Sequence, residues 1–415
     1  MKSLEFFRLQ TRQEVLALYP RFLSVGTESV DLAGAGGRVL AAAITAPEAV
    51  PGFLRATMDG YAVAARDTFG AGVGAPQYLE IKGEVAMGAA PGRGVGSGEA
   101  LRVPTGAMLP AGADAVVMVE YTAEHPDKTL EVRRAVAPGE NVLSPGEDVG
   151  AGELLFDAGV RLRPQDIGLL AALGITRLTV YQKPRVAILS SGDEIVALDR
   201  RPSPGQVRDS NAYLAAAQVE VWGGIPLIKG IIPDDFAALR AALAAALAEA
   251  DLILISGGSS VGVRDLTLAA IQDLPGAEIL VHGVAIRPGK PTILAAVGEG
   301  GAQPLLGLPG HPASAAVVME VIGRPLLEHL AGFKVQARWG QTVTAALSRN
   351  LAGASGREDY VRVRLRREGD TLWADPVLGP SGLLSPLVKS DGLVMIPLGV
   401  EGLFKGEQVE VRLFG

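Results

Sequence analysis

Val186-Ala187-Ile188-Leu189 runs straight into Ser190-Ser191-Gly192-Asp193-Glu194, and Leu252-Ile253-Leu254-Ile255 runs into Ser256-Gly257-Gly258-Ser259-Ser260-Val261-Gly262, with Asp265 just beyond. Short apolar runs of this kind read as strands of a parallel sheet buried on both faces. Ligands of such sheets bind at the carboxyl ends of the strands, where loops meet helix N-termini. Glycine lets the backbone approach a ligand closely, and successive amide N–H groups in these turns form nests for anions. A carboxylate beside the nest adds a place for Mg²⁺, the usual companion of a phosphate. The two stretches therefore predict a site for a phosphorylated ligand. The second is no Walker A loop, because no Gly-Lys-Ser/Thr closes it, and it lacks a dinucleotide fingerprint.

Around these runs, from Lys183 to about Leu330, strands near 186–190, 226–232, 252–256, 278–286 and 305–308 alternate with helices. Asp209 or Ser210 can cap one helix, and Asp234 or Asp235 the next, whose Phe236, Leu239, Leu243 and Leu247 share a face. The pattern predicts a three-layer α/β domain over 181–332. Upstream, residues 3–20 and Gln165–Leu173 read as helices, the second ended by Gly174. Between them, Gln77–Val85, Leu101–Pro104, Ala115–Glu120 and Thr129–Ala135 are β-type runs among Gly- and Pro-rich turns. This predicts an inserted β domain over 48–145, flanked by the two halves of a discontinuous elongated domain, 1–47 plus 146–180. Downstream, Val361, Val363 and Leu365 alternate with Arg362, Arg364 and Arg366 as a half-exposed strand, and Gln408–Leu413 is the final strand. A C-terminal β domain over 333–415 follows, and the whole reads as multi-domain α/β plus β.

The chain has 415 residues, too many for one typical core. A net charge of −7 argues against a nucleic-acid partner, which needs a basic face. With no cysteine, disulfides, thiolate nucleophiles and Cys-ligated metals are excluded, and four scattered histidines argue against a His-rich metal site. Met1–Leu18 carries no signal-peptide h-region and no stretch is apolar enough to span a bilayer, so a cytoplasmic protein without a membrane partner is expected.

Two further turns carry chemistry. Arg287-Pro288-Gly289-Lys290-Pro291 projects two cations from a loop stiffened by prolines, which favours an oxyanion. Gly307-Leu308-Pro309-Gly310-His311-Pro312-Ala313-Ser314 ends a strand and opens a helix, where Ser314 can offer its hydroxyl to an anion. Taken alone, Asp59 in Thr57-Met58-Asp59-Gly60-Tyr61 and Asp148 in Gly146-Glu147-Asp148 are ordinary turn residues.

Met58-Asp59-Gly60-Tyr61-Ala62, Pro104-Thr105-Gly106, Gly146-Glu147-Asp148, Ser191-Gly192-Asp193-Glu194, Ser256-Gly257-Gly258, Arg287-Pro288-Gly289-Lys290-Pro291 and Gly307-Leu308-Pro309-Gly310 occur in this order. Together they resemble the molybdopterin molybdenumtransferase (MoeA) family, related to the E domain of gephyrin, from about residue 5 to the C-terminus. The resemblance implies that 181–332 binds molybdopterin, that the C-terminal domain is barrel-like, and that the protein is a homodimer with composite sites. It implies insertion of molybdenum from molybdate into adenylylated molybdopterin, with Mg²⁺ as cofactor and AMP released. Contacts with the upstream adenylyltransferase and with downstream molybdoenzyme chaperones are implied as well.

Residue by residue, Asp265, Glu194, Asp59 and Asp148 carry the catalytic roles, Asp265 and Glu194 also holding the metal. Thr105, Ser191, Gly192, Asp234, Gly257, Gly258, Ser259, Pro291 and Ser314 bind substrate. Arg287, Lys290, Ser314, Arg357 and Ser385 bind molybdate, a tetrahedral dianion that needs cations and hydroxyl or amide donors. The chain departs from the family at His311 and Ala313, in a turn where Gly-Asn-Pro-Val-Ser is usual, and at Arg287, where Lys is common. The resemblance assigns His311 no role. Two alternatives stay open: a molybdopterin adenylyltransferase or nucleotide pyrophosphatase on the same α/β domain, and a non-enzymatic gephyrin-like scaffold. Turnover to AMP discriminates among them.

Overall fold

The computed structural model describes residues 9–257, 261–334 and 342–414, with 261–264 by backbone alone. Six strands form the central sheet: Arg185–Ser191 (β1), Ile225–Ile232 (β2), Leu252–Gly257 (β3), Glu278–His282 (β4), Ile293–Val297 (β5) and Gln303–Pro309 (β6). Their order is β2-β1-β3-β6-β5-β4. Five helices cover it: Asn211–Val221 (α1), Phe236–Leu247 (α2), Val261–Gln272 (α3), Pro312–Val318 (α4) and Arg324–Leu330 (α5).

Strand periodicity sorts the side chains into layers. Val186, Ile188, Leu252 and Leu254 pack with Val219 of α1, Val317 of α4 and Leu326 of α5. The alternate residues Ala187, Leu189, Ile253 and Ile255 pack on the other face with Leu239 and Leu243 of α2 and Ile271 of α3. Both faces are dry, which is why the runs are continuously apolar. Of the alternative caps, Asp209 accepts the Ala212 N–H, and Asp235 accepts the Ala238 N–H.

The expected strand alternation needs two corrections. β5 runs antiparallel to both neighbours, because only the short connection 298–302 joins it to β6, and hairpins pair antiparallel strands. The expected strand 278–286 stops at His282, where Gly283 turns the chain at φ +103°, a conformation that suits glycine. The following Ile286–Arg287 then pairs in parallel with Glu358–Asp359 of the C-terminal region. That pairing seats the cationic loop between the two folding units.

The C-terminal sheet comprises Thr342–Leu347 (β7), Glu358–Glu368 (β8), Thr371–Pro376 (β9), Gly392–Ile396 (β10) and Gln408–Leu413 (β11). Pairing of β8 with both β9 and β10 closes these five strands into the expected barrel around Leu347, Val363, Ala374, Val394 and Val411. β8 is less exposed than its alternation predicts: Arg362 is 9% exposed.

Upstream, Gly60–Val63, Gln77–Glu84, Glu99–Val103, Ala115–Met118, Thr122–Glu124 and Thr129–Val132 make a second six-stranded sheet. Thr27–Asp31 pairs with Arg177–Tyr181, and the two segments share a core of Leu40, Leu162, Leu170, Leu178 and Val180. The Gln165–Leu173 helix forms as Pro164–Ala172, with Gly174 at positive φ. Residues 3–8 of the expected 3–20 helix lie outside the described residues, and the remainder is shorter than expected. Among the described residues it spans Arg12–Leu16, started by the Thr11–Glu14 capping box and followed by a 3₁₀ turn carrying Pro20. Its Val15, together with Tyr19 and Phe22, packs into the core of the central sheet. No described helix is long and apolar enough to cross a membrane.

Candidate functional site

The carboxyl ends of β1, β2 and β3 lie side by side because these strands are parallel and adjacent. At that edge the buried Ser191 hydroxyl donates to Asp234 Oδ1 at 2.7 Å, and the Asp234 N–H donates to Asp193 Oδ1 at 3.2 Å. The turn after β1 is thereby tied to the turn after β2, with Gly192 buried and Glu194 exposed between them. Gly257 ends β3 so close to Ser191 that a Cβ there would fall 2.9 Å from the Ser191 Cβ. Only glycine lets these two turns meet. Gly258 and Ser259 lie outside the described residues. Asp265 sits exposed on α3, five residues into the helix.

Next to this edge lies a cavity of about 340 Å³, within the range of small-molecule sites. Of the expected residues, Gly257, Arg287, Lys290, Pro291, Ser314 and Arg357 line it. Three of these are cations, and they come from two folding units. Their surroundings differ. Arg287 Nε lies 2.7 Å from Oδ1 of the buried Asp359, so part of its charge is already neutralised. The two meet as charges, without an aligned N–H···O bond. Lys290 and Arg357 have no carboxylate partner among the described residues. The loop that carries Lys290 is fixed: the Thr292 hydroxyl donates to the Gly289 carbonyl at 2.6 Å, and the Val284 N–H donates to the Lys290 carbonyl.

A strap of the C-terminal barrel, residues 377–384, borders the cavity on one side. Ser381 lines the cavity, accepts the Ala313 N–H on its carbonyl at 3.0 Å, and meets His311 Nδ1 with its Oγ at 2.9 Å. At the strap's base Arg362 donates from Nη2 to the Gly379 carbonyl at 2.7 Å, while burial lowers the pKa of its guanidinium. The expected Ser385 is not among the residues that line the cavity. It is exposed and opens the short helix Ser385–Val388, four residues beyond the point where the strap touches α4. Ser381, which sequence reasoning passed over, and His311, to which it gave no role, thus line the cavity, and Arg362 supports the strap from below. The Gly379-Pro380-Ser381-Gly382 turn was a signal for the first, since such a turn commonly presents a side chain from a loop.

Asp59, Thr105 and Asp148 are exposed and lie outside the cavity lining. Asp59 and Thr105 do come together. The Thr105 N–H donates to Asp59 Oδ1 at 2.6 Å, and this bond holds the carboxyl below the usual carboxylate range. Asp148 is placed by its N–H donating to the Val50 carbonyl.

Residues 8–174 match the model of the MoeA N-terminal region (domain I and II), 187–329 that of the probable molybdopterin binding domain, and 344–414 that of the MoeA C-terminal region (domain IV). A molybdopterin molybdenumtransferase of Nostoc is 35% identical over 93% of this chain and 88% of its own. The chain belongs to the MoeA family. Another molybdopterin molybdenumtransferase, from Bacillus subtilis, is 33% identical over 93% of this chain and 90% of its own. The crystal structure of a molybdopterin biosynthesis MoeA protein from Pyrococcus horikoshii superposes with a TM-score of 0.84 at 31% identity. It covers 98% of this chain and all of that one. In this MoeA-family chain the cavity falls where the matched molybdopterin binding domain meets the matched domain IV.

Proposed function

We propose that this chain is a molybdopterin molybdenumtransferase, the enzyme of the molybdenum-insertion step of molybdenum-cofactor synthesis. The observation that carries this reading is the cavity itself. Lys290, Arg287, Arg357, Ser314 and Ser381 gather cations and hydroxyls, with no carboxylate among the described lining residues, at the strand ends of a domain matched as molybdopterin-binding. That donor set suits a tetrahedral oxyanion. The adjoining turns at Ser191–Glu194 and Gly257 suit the phosphates of an adenylylated pterin, which would bring its reacting atoms beside the bound molybdate.

Mg²⁺ is the cofactor of this reading. The described residues contain no group of three or more His, Cys, Asp or Glu poised for a metal, which fits an ion carried largely by substrate phosphates. Glu194 and Asp265 are the carboxylates that would complete its shell. When bound, the ion supplies charge neutralisation to the phosphates. The chain's own residues would orient the two substrates beside the strap. Incubating the protein with adenylylated molybdopterin, Mg²⁺ and molybdate should release AMP in proportion to cofactor formed. No molybdate-dependent AMP would end the reading, and ATP consumption with pyrophosphate release, when molybdopterin and ATP are supplied instead, would favour the adenylyltransferase.

The assembly is a homodimer in this proposal. Asp59, Thr105 and Asp148 belong to the same set of motifs, yet they lie outside the cavity lining of their own chain. A partner chain is the simplest way to bring them to it, and two-fold dimers are the commonest closed assembly. Sedimentation should show twice the chain mass of 42.9 kDa. A fully active monomer would rule the composite site out.

A further inference from the structure

We propose that Asn211 is a positioning residue for the reaction in the cavity: its amide nitrogen ties the end of β3 to the turn that follows β6. This rests on the reading above that molybdate and adenylylated pterin meet there. The ladder between β3 and β6 stops at Gly257 and Pro309. Pro309 has no N–H, so it cannot donate a further rung. At this point Asn211 Nδ2 donates to Ser256 Oγ at 2.7 Å and to the Gly310 carbonyl at 2.9 Å. A carbonyl only accepts, so the bond to Gly310 fixes which end of the amide faces the two segments. Gly257 and Gly310 both line the cavity. The end of β3 lies against Ser191, on the side proposed for the phosphates. The turn after β6 leads to Ser314 and meets the strap at Ala313, on the side proposed for the oxyanion. One amide thus sets the spacing between the two.

Asn211 is itself firmly held. It is the first residue of α1, whose start is capped by Asp209, and α1 packs into the core through Ala212, Ala215 and Val219. Asn211 is 9% exposed and Ser256 5%. The Asn211 Oδ1 is buried without a hydrogen-bond partner among the described residues. So is the hydroxyl of Ser190, the register partner of Ser256 on β1. Buried polar atoms left without partners oppose folding, and folded proteins keep few of them. A half-satisfied amide beside an orphan hydroxyl is a poor choice for stability alone. Such departures gather at functional sites, where geometry outweighs stability.

A misplacement of about 1 Å can cost about 100-fold in rate. Asn211→Ala in the full-length protein should therefore lower kcat for AMP release by about 10- to 100-fold, while the KM for each substrate stays within about threefold. Asn211→Asp keeps the shape, and its carboxylate can accept from Ser256 but cannot donate to Gly310, so it should lose as much as alanine. Ser256→Ala leaves the Gly310 bond and should lose only about three- to tenfold, with the double variant no worse than Asn211→Ala. The Tm should fall by no more than about 8 °C. A merely structural role predicts the reverse, a lower Tm with kcat intact wherever the variant is folded. Hydrogen exchange reads the tie without turnover. The amides of Ala313 and Ala315, which bond to Ser381 and His311, should exchange at least about tenfold faster in Asn211→Ala, while those of α2 stay unchanged. Wild-type kcat in the folded Asn211 variants would overturn the inference, as would a loss confined to KM or unaltered exchange. The two readings fail separately. Normal AMP release by wild type and Asn211 variants alike overturns the role of Asn211 alone. A wild-type protein that releases no AMP, with faster exchange in Asn211→Ala, overturns molybdenum insertion and leaves the tie standing.

Discussion

Replacing Lys290 with alanine should raise the molybdate concentration needed for half-maximal turnover by about 10- to 100-fold, while adenylylated pterin affinity falls by no more than about threefold. Lys290 is an exposed ammonium with no carboxylate beside it among the described residues, held on a loop whose backbone is pinned at Gly289 and at its own carbonyl. Its charge is therefore available, and a dianion bound against it in the cavity would desolvate it in part. A charge-assisted hydrogen bond of this kind contributes about 1.5–3 kcal/mol, which is the stated factor. Arg287→Ala supplies the internal comparison. Asp359 already neutralises part of that charge at 2.7 Å, so the molybdate requirement should rise less than for Lys290→Ala. Measuring turnover against molybdate at saturating pterin, and pterin binding separately, checks both. Unchanged molybdate dependence with a large loss of pterin affinity would make Lys290 a phosphate ligand.

The contrast between those two cations marks where the sequence stops being informative. Their identity, spacing and exit from a strand were legible, because proline stiffening and a polar turn after an apolar run are local signals. That Arg287 would be half occupied was not, because Asp359 lies 72 residues away and reaches it only through the pairing of Ile286–Arg287 with β8. The same reason separates Ser385 from Ser381. Both serines follow the same glycine- and proline-containing turn, and only the hydrogen bonds to Ala313 and His311 place Ser381 against the cavity. Arg362 read as one of three solvated arginines on an alternating strand. The strap covers it, and no local pattern encodes that.

The three layers of the α/β domain, by contrast, were written into consecutive residues such as Val186 and Ala187, which face opposite cores. The antiparallel β5 escaped because Ile293–Val297 is as uniformly apolar as its parallel neighbours. Burial on both faces erases the alternation that would report strand direction or layer.

Asp265→Asn should lower AMP release by at least about 100-fold without loosening the fold. The side chain is exposed on α3 and makes no hydrogen bond or ion pair among the described residues, so the substitution should change stability by less than about 0.5 kcal/mol. Asparagine keeps the shape and removes the charge. If Asp265 helps hold Mg²⁺ against the substrate phosphates, what is lost is stabilisation of charge that builds on the leaving group, typically several kcal/mol. Each 1.36 kcal/mol is tenfold in rate. If the ion is held by few protein ligands besides the substrate phosphates, losing one should raise the Mg²⁺ requirement steeply as well. Asp234→Asn is the informative contrast. Asp234 accepts the Ser191 hydroxyl at 2.7 Å, so its replacement should disturb the turn after β1 and weaken pterin binding before it alters the Mg²⁺ requirement. Circular dichroism and thermal unfolding establish that each variant is folded, and AMP release against Mg²⁺ concentration gives the result. Normal AMP release at ordinary Mg²⁺ by a folded Asp265→Asn protein would remove this carboxylate from the mechanism and leave Glu194 to be tested in its place.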